Sequence, residues 1–364
     1  MIRTKILNGC IFSSSNQSIL SRHIIIQHRR NFIAARSIHN RRDSDDRSNK
    51  PTFTKHVRNI KDDKLSSQPE DKGLEYVYGF SSVVSALRLK KREILDSLYI
   101  QESAGKATTK KKDDSLLTDI VQLAKEAKIK IFHMDKGRLN NLTDNKPHQG
   151  VVLRASALQP QEVSSLTQVT ENGYRVLPIQ KYAKEGNKPY TFNFSRNGSN
   201  KRPFWLALDE VQDPQNFGSI LRTAYFFGVD GVLVCSKNSA PLSPAVSKVS
   251  SGAVELMDVF STTRLDKFLT ESRDNGWKVI GAVGDAKSFI IPSQIASELK
   301  NCPVILVLGN EGKGLRKNIR NVCDTFISIP RATNPVLQDF GGSIDSLNVG
   351  VAAGVLIHSF TTEN

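Results

Sequence analysis

The chain has 364 residues, 38% of them hydrophobic, and its 51 Lys and Arg against 36 Asp and Glu give a formal charge of +15. That length leaves room for one large domain or two ordinary ones with a genuine core, while the longest aliphatic clusters, such as Ile24 to Ile26, are far too short to span a bilayer. The four cysteines, Cys10, Cys235, Cys302 and Cys323, show neither CxxC nor Cys/His ligand spacing, which argues against disulfides and structural zinc.

The charge is unevenly placed. Residues 204–364 carry a net −2 and residues 1–203 a net +17, so an acidic polymer would be met by the first half. Met1 to Arg42 holds eight basic residues and no carboxylate, interspersed with Ser and single aliphatics, the composition of a mitochondrial presequence. The alternative is a basic arm that grips nucleic acid, but acidic residues resume abruptly at Asp43. Residues 43–73 are charged, polar and aperiodic and are expected to be a disordered linker.

From Tyr76 the pattern changes. YVYGFSSVVSALRL predicts a turn and an amphipathic helix, and DSLYIQ a short strand. SLLTDIVQLAKEA predicts a helix with Leu116, Ile120, Leu123 and Ala127 on one face, and KIKIFHM and GVVLRAS read as strands. These elements make a small α/β module over 74–158; its lysine-rich GKATTKKKDD reads as a solvated loop. Residues 159–203, rich in Gln, Asn, Ser, Lys and Gly, are expected to be a flexible linker, so that two domains are joined by a tether.

Across 204–364 strand-like and helix-like runs alternate: FWLALDEV, NFGSILRTAYFFG, GVLVC, SPAVSKVSSGAVE, DKFLTESRDNG, WKVIGAV, CPVILVLG, GLRKNIRNV, TFISIP and SLNVGVAAGVLIHSF. Strands that are apolar on both faces and separated by helices predict a parallel sheet covered on each side. Ligands of open α/β sheets bind at the carboxyl ends of the strands, where the glycine loop after VILVL falls.

That loop is a poor phosphate cradle. Gly309-Asn310-Glu311-Gly312-Lys313-Gly314-Leu315 lacks the Walker spacing and the hydroxyl after the lysine, and Glu311 would repel a triphosphate. No GxGxxG turn follows the first strand, so the dinucleotide fingerprint is absent too. A neutral or cationic ligand suits a glycine-rich edge bearing a carboxylate better. Upstream, Asp213-Pro-Gln-Asn-Phe-Gly-Ser-Ile-Leu-Arg-Thr-Ala224 begins a helix at Pro214 whose apolar stripe is Ile220, Leu221, Ala224 and Phe227. Arg222, about 200° round the helix from Ile220, points away from that stripe.

Three segments, DPQNFGSILRTA, LGNEGKGL and Ile329-Pro330 with Ser346-Leu347-Asn348-Val349, resemble in order and spacing the three motifs of the SpoU-type RNA ribose 2′-O-methyltransferases, within the trefoil-knotted methyltransferase class. The likeness covers about Phe204 to Phe360, and residues 76–158, with YGFSSVVSAL and HQGVVLRAS, resemble the L30e-like RNA-binding domain that often precedes this catalytic domain. In this sequence Ser81 or Ser82 stands where many relatives have a histidine.

The resemblance implies an S-adenosylmethionine pocket formed by Gly309, Ile329 and Leu347, with Gly284 a further candidate for its wall. It implies that Arg222 acts on the ribose hydroxyl, with Asn216, Glu311, Ser346 and Asn348 shaping the site. A guanidinium is essentially always protonated, so an orienting, charge-stabilising role fits Arg222 better than proton abstraction. Each neighbour also has a plainer reading: Asn216 as a helix cap, Glu311 paired with Lys313 or Arg316, and Ser346 as the N-cap of the last helix. Gly350-Val-Ala-Ala-Gly354 permits close helix packing within the domain or across the homodimer that the family implies, and His358 reads as a packed or surface residue. No metal is called for. The expected substrate is a guanosine ribose of mitochondrial large-subunit rRNA, in the matrix, with tRNA methylation or a ribosome-assembly role independent of catalysis as alternatives.

Overall fold

The computed structural model describes residues 73–102, 111–179, 189–193, 203–284, 290–295, 302–330 and 346–362. The expected presequence at 1–42, and all of the expected 43–73 linker except Gly73, lie outside these residues. Residues 66–364 form a single compact unit.

Its first part contains β1 (Leu74–Tyr78), α1 (Phe80–Leu89), β2 (Leu95–Gln101), α2 (Lys111–Glu126), β3 (Lys130–Met134), α3 (Lys136–Leu142) and β4 (Val151–Ser156). The strands form a sheet in the order β1-β4-β2-β3, and Val77, Leu98, Ile100, Val151 and Leu153 pack it against α1 and α2. Helix α2 starts at Lys111, within the lysine cluster that was expected to be a loop.

The second part begins where the flexible linker was expected and overturns that expectation. Residues 159–203 supply β5 (Gln161–Leu166), β6 (Gly173–Pro178) and β7 (Tyr190–Asn193). The physical reason is an alternation hidden by polar composition: Val163, Leu166, Tyr174 and Val176 are buried. Tyr174 stacks on Phe192 at 4.9 Å and accepts a 2.7 Å hydrogen bond from the Trp205 indole, and large aromatic areas of this kind offset chain entropy.

Beyond lie β8 (Phe204–Leu208), α4 (Pro214–Phe227), β9 (Gly231–Cys235), α5 (Pro244–Val249), α6 (Ala253–Leu256), β10 (Val259–Thr262), α7 (Leu265–Asp274) and β11 (Lys278–Ala282). A 3₁₀ turn at Pro292–Gln294, β12 (Val304–Leu308), α8 (Lys317–Arg320), β13 (Thr325–Ile327) and α9 (Val349–Thr362) complete the chain. The run SPAVSKVSSGAVE splits into α5 and α6 because Ser251 and Gly252 take positive φ of 53° and 83°.

The large sheet has the order β13-β11-β12-β8-β9-β10-β5-β6-β7, parallel from β13 to β5 and antiparallel at β5-β6-β7. From β8 the chain moves outward through β9 and β10, then returns to the other side of β8 for β11 and β12. The order therefore reverses between β8 and β12, a topological switch point.

The two parts are fastened rather than tethered. Arg92, wholly buried, donates from Nε and Nη2 to Glu255 Oε1 at 3.1 and 2.7 Å, and from Nη1 to Glu75 and to the Ser156 carbonyl. Lys91 pairs with Asp258 at 3.1 Å. Glu255 belongs to α6 and Arg92 to the turn after α1, so the charge pair crosses the joint where those helices pack. Among the described residues, no helix is long and apolar enough to cross a membrane, and no His, Cys, Asp and Glu cluster could hold a metal ion.

Candidate active site

The carboxyl ends of three adjacent parallel strands, β13, β11 and β12, open onto one crevice of about 740 Å³. Its walls are the ends of β11 (to Gly284), the glycine loop 309–315, Ile327 to Pro330, and Ser346 to Val349 with one side of α9. Four sequence candidates, Gly309, Ile329, Leu347 and Gly284, line it together with Glu311 and Ser346. Among the described residues, no hydrogen bond engages the backbone of Gly309, Ile329 or Leu347. Backbone groups of this kind need a partner from outside the fold.

The glycine loop is a tight hairpin. Asn310 and Gly314 exchange backbone hydrogen bonds of 3.1 and 3.0 Å, and Asn310 Oδ1 accepts from the amides of Gly312 and Lys313. Gly309 has to be glycine, because a Cβ there would lie 2.6 Å from the Leu315 nitrogen, and backbone cannot give way as a side-chain tip can. The loop is latched to the end of β8. Asp209, fully buried, accepts from the Arg316 amide at 3.0 Å and from its Nε at 2.7 Å, while Asn310 Nδ2 donates to the Glu210 carbonyl at 2.9 Å.

Glu311 turns toward α4. It accepts from the amides of Gln212 and Asp213 and, at 3.1 Å, from Asn216 Nδ2. Burial pushes this carboxyl up, but hydrogen bonds from its own amide and from Asn216, Asp213 and Gln212 outweigh that and hold it below the ordinary carboxylate value. Asn216 Oδ1 in turn accepts from Asn348 Nδ2 at 2.9 Å, and Asn348 Oδ1 accepts from the amides of Gly350 and Val351 at the start of α9. Three sequence segments far apart in the chain thus meet in one directional chain of hydrogen bonds.

Several plainer readings of the sequence are corrected here. Asp213, not Asn216, caps α4, accepting from the Gln215 amide at 2.8 Å with Pro214 in the first turn. Glu311 pairs with neither Lys313 nor Arg316, since Arg316 is held by Asp209 and Glu210. Asn348, not Ser346, caps the last helix. Ser346 lies exposed at the crevice rim. Arg222 is not brought to the crevice: it is exposed on α4 and has no hydrogen bond or ion pair among the described residues. Asp209, which fixes the loop through Arg316, carries no signal in the sequence because LDEV reads as an ordinary strand end. Cys323 is unsuited to act as a thiolate: burial, with the Asp324 charge behind it, pushes its thiol up to about 12.

Residues 203–358 match the family described as SpoU rRNA Methylase, and residues 76–161 match the RNA 2'-O ribose methyltransferase substrate-binding family. The mitochondrial rRNA methyltransferase 1 of Homo sapiens is 35% identical over 297 residues, covering 80% of this chain and 73% of that protein. Its namesake in Schizosaccharomyces pombe is 37% identical, covering 78% and 89%. The solved structure of an AdoMet-bound rRNA methyltransferase from Sinorhizobium meliloti, 19% identical, superposes with a TM-score of 0.54 over 79% of this chain and 86% of that one, which shows the same fold. The chain belongs to the SpoU rRNA methylase family and is a methyltransferase of α/β fold, with a substrate-binding domain ahead of the catalytic one.

The crevice fits the methyl donor of such enzymes. Its volume lies within the roughly 300–1,000 Å³ of small-molecule sites. Leu308, Ile327 and Leu356 give an apolar wall for a flat base, and the free backbone of residues 309, 329 and 347 offers groups for its edge. Glu311, held below the ordinary carboxylate value, is the acidic residue of the lining, a charge compatible with a cationic donor.

Proposed function

We propose that this protein uses S-adenosylmethionine to methylate the ribose 2′-hydroxyl of a guanosine in mitochondrial large-subunit rRNA, in the matrix, as a homodimer with a trefoil-knotted catalytic domain. The observation that carries the reading is the crevice at the carboxyl ends of β13, β11 and β12, where the backbone of Gly309, Ile329 and Leu347 has no partner among the described residues, beside the Glu311–Asn216–Asn348 chain. The bound donor would supply an electrophilic methyl group. Gly309, Ile329 and Leu347 hold its base through main-chain groups, while the apolar wall excludes competing water. Asn216, which does not line the crevice itself, is fixed from both sides by Asn348 and the crevice residue Glu311 and positions the entering ribose.

Arg222 orients the 2′-hydroxyl through the neighbouring phosphate and stabilises charge without taking up the proton. Since it lies outside the crevice of its own chain, it serves the site of the second subunit. The face that carries it supports this assembly. Phe226 is 79% exposed and Val351 54%, Tyr225 and Val355 are also exposed, and Gly354 has nothing near its missing Cβ. A self-complementary patch of this kind builds a two-fold dimer. Gly350, by contrast, is used within the chain, where it lets α9 approach Ser219 of α4.

The deciding experiment transfers a radiolabelled methyl group from the donor to transcripts of mitochondrial large-subunit rRNA and of tRNA, followed by mapping of the ribose-methylated nucleotide. Label confined to tRNA, or absent from both, overturns the reading.

A further inference from the structure

Lys248 occupies the seam between the two parts of the molecule. It extends from α5 toward the substrate-binding domain, where its Nζ donates to Gln149 Oε1 at 2.5 Å and lies against the backbone of Gly79. Among the described residues no carboxylate pairs with it, although its side chain is half-buried, and burial pushes its ammonium below the ordinary lysine value. A cation removed from water without a counter-charge is costly unless something anionic arrives to pair with it.

The surroundings select an anion. Gln149 is exposed, so the seam is open to solvent. It is held in a left-handed conformation, φ 56°, by its neighbour: His148 Nδ1 accepts from the Gly150 amide at 2.9 Å and Nε2 bonds Asn140 Oδ1 at 2.9 Å. The acceptor role of Nδ1 places the ring proton on Nε2, so this imidazole is neutral. Burial, then the charges of Lys136 and Lys248, lower its pKa, so the local field is positive. Helix α1 has Gly79 as its N-cap residue and no side-chain cap, and Ser82 Oγ in its first turn is buried with no partner among the described residues.

Position connects this cation with the reaction centre. The residue after Lys248 is Val249, packed so closely on Gly218 that a Cβ there would lie 2.6 Å from the valine Cβ. Gly218 stands two residues from Asn216, so Lys248 lies between the site and the substrate-binding domain.

We propose that Lys248, with Gln149, binds a backbone phosphate of the RNA substrate near the nucleotide being modified, so that one strand is gripped at the joint while its ribose enters the crevice. This rests on the proposed RNA substrate. A point charge of this kind is read by its salt dependence, since each neutralised phosphate contributes a slope of roughly −0.7 to −0.9 in log K against log salt concentration.

The test measures binding of full-length protein to an in vitro transcript of mitochondrial large-subunit rRNA from low to moderate salt, for the wild type, Lys248→Met, Lys248→Arg and Gln149→Glu. Lys248→Met is expected to weaken binding about 5- to 10-fold at low salt and to flatten the slope by about one unit. Lys248→Arg should keep the wild-type slope, whereas in Lys248→Met the KM for RNA should rise while donor affinity stays constant. Gln149→Glu alters an exposed residue and places a carboxylate beside the lysine, so it gives the same flattening even if Lys248→Met folds poorly. An unchanged slope in both Lys248→Met and Gln149→Glu overturns the proposal. If the wild type binds the transcript but methylates nothing, the functional reading fails separately, and the slopes still decide this one.

Discussion

Asn348 sets the orientation of Asn216. The Asn348 carboxamide oxygen is committed to the amides of Gly350 and Val351, so only its nitrogen is free to donate, and Asn216 must accept with Oδ1 at 2.9 Å. Asn216 Nδ2 is then the group that meets Glu311. Replacing Asn348 by Ala removes a helix cap, at about 1 kcal/mol, and releases Asn216 to flip. The expected outcome is a melting temperature lower by a few degrees and a methyl-transfer rate reduced at least tenfold. Calorimetry and a single-turnover assay check the two together; a lowered melting temperature with full activity would refute the orienting role.

Gly309→Ala tests the loop. The added methyl group meets the backbone of Gly314 and Leu315, which the Asn310 hairpin and the Arg316–Asp209 latch hold in place. Donor affinity should fall tenfold or more, measured by titration calorimetry, with little change in RNA binding. Equal donor affinity would mean the loop is softer than its hydrogen bonds imply.

Glu311 gives a pH dependence of known sign. Its carboxyl is held below the ordinary value of 4.5, so its hydrogen bonds contribute stability that is fully present above that pH and is lost as the pH falls through the depressed folded value. Acid titration of the melting temperature below pH 4.5 should therefore be steeper for the wild type than for Glu311→Gln. Identical curves would remove Glu311 from the account.

Arg222→Ala should lower the turnover number by two orders of magnitude or more while donor affinity and folding stay unchanged, because the side chain is exposed and has no partner among the described residues. Mixing this variant with one defective in the crevice, such as Gly309→Ala, should restore part of the activity if the sites are shared between subunits. Cells that grow normally with Arg222→Ala yet fail without the protein would point to an assembly role independent of methylation.

The Arg92–Glu255 pair is tested by unpairing it. Arg92→Met leaves Glu255 buried without its cation, at a cost of about 3–5 kcal/mol. Adding Glu255→Leu should recover much of the lost stability, and a double-mutant melting series measures the coupling. A single substitution that costs nothing would show that the joint is carried by other contacts.

Much of the catalytic half was legible because its strands are continuous apolar runs, and because Pro214, the glycine loop and the 346–349 segment mark the ends of elements. Two things were hidden. The strands within 159–203 alternate buried Val163, Tyr174 and Val176 with polar neighbours, so average composition disguised a period of two. The docking of the first domain depends on Arg92 and Glu255, which lie 163 positions apart and carry no local pattern. Likewise, the cap of α9 falls to Asn348 rather than Ser346 through the geometry of one turn, which residue type alone does not determine.

The buried arginine joint makes the molecule a caliper. If Lys248 grips a phosphate as proposed, the Arg92–Glu255 joint fixes the distance from that grip to the reaction centre, so a strand would qualify by whether its own folded shape spans the gap. Selection would then fall on the three-dimensional form of the nucleic acid more than on its letters, and a substitution at the Arg92–Glu255 joint, which never touches substrate, would change which nucleotide is reached.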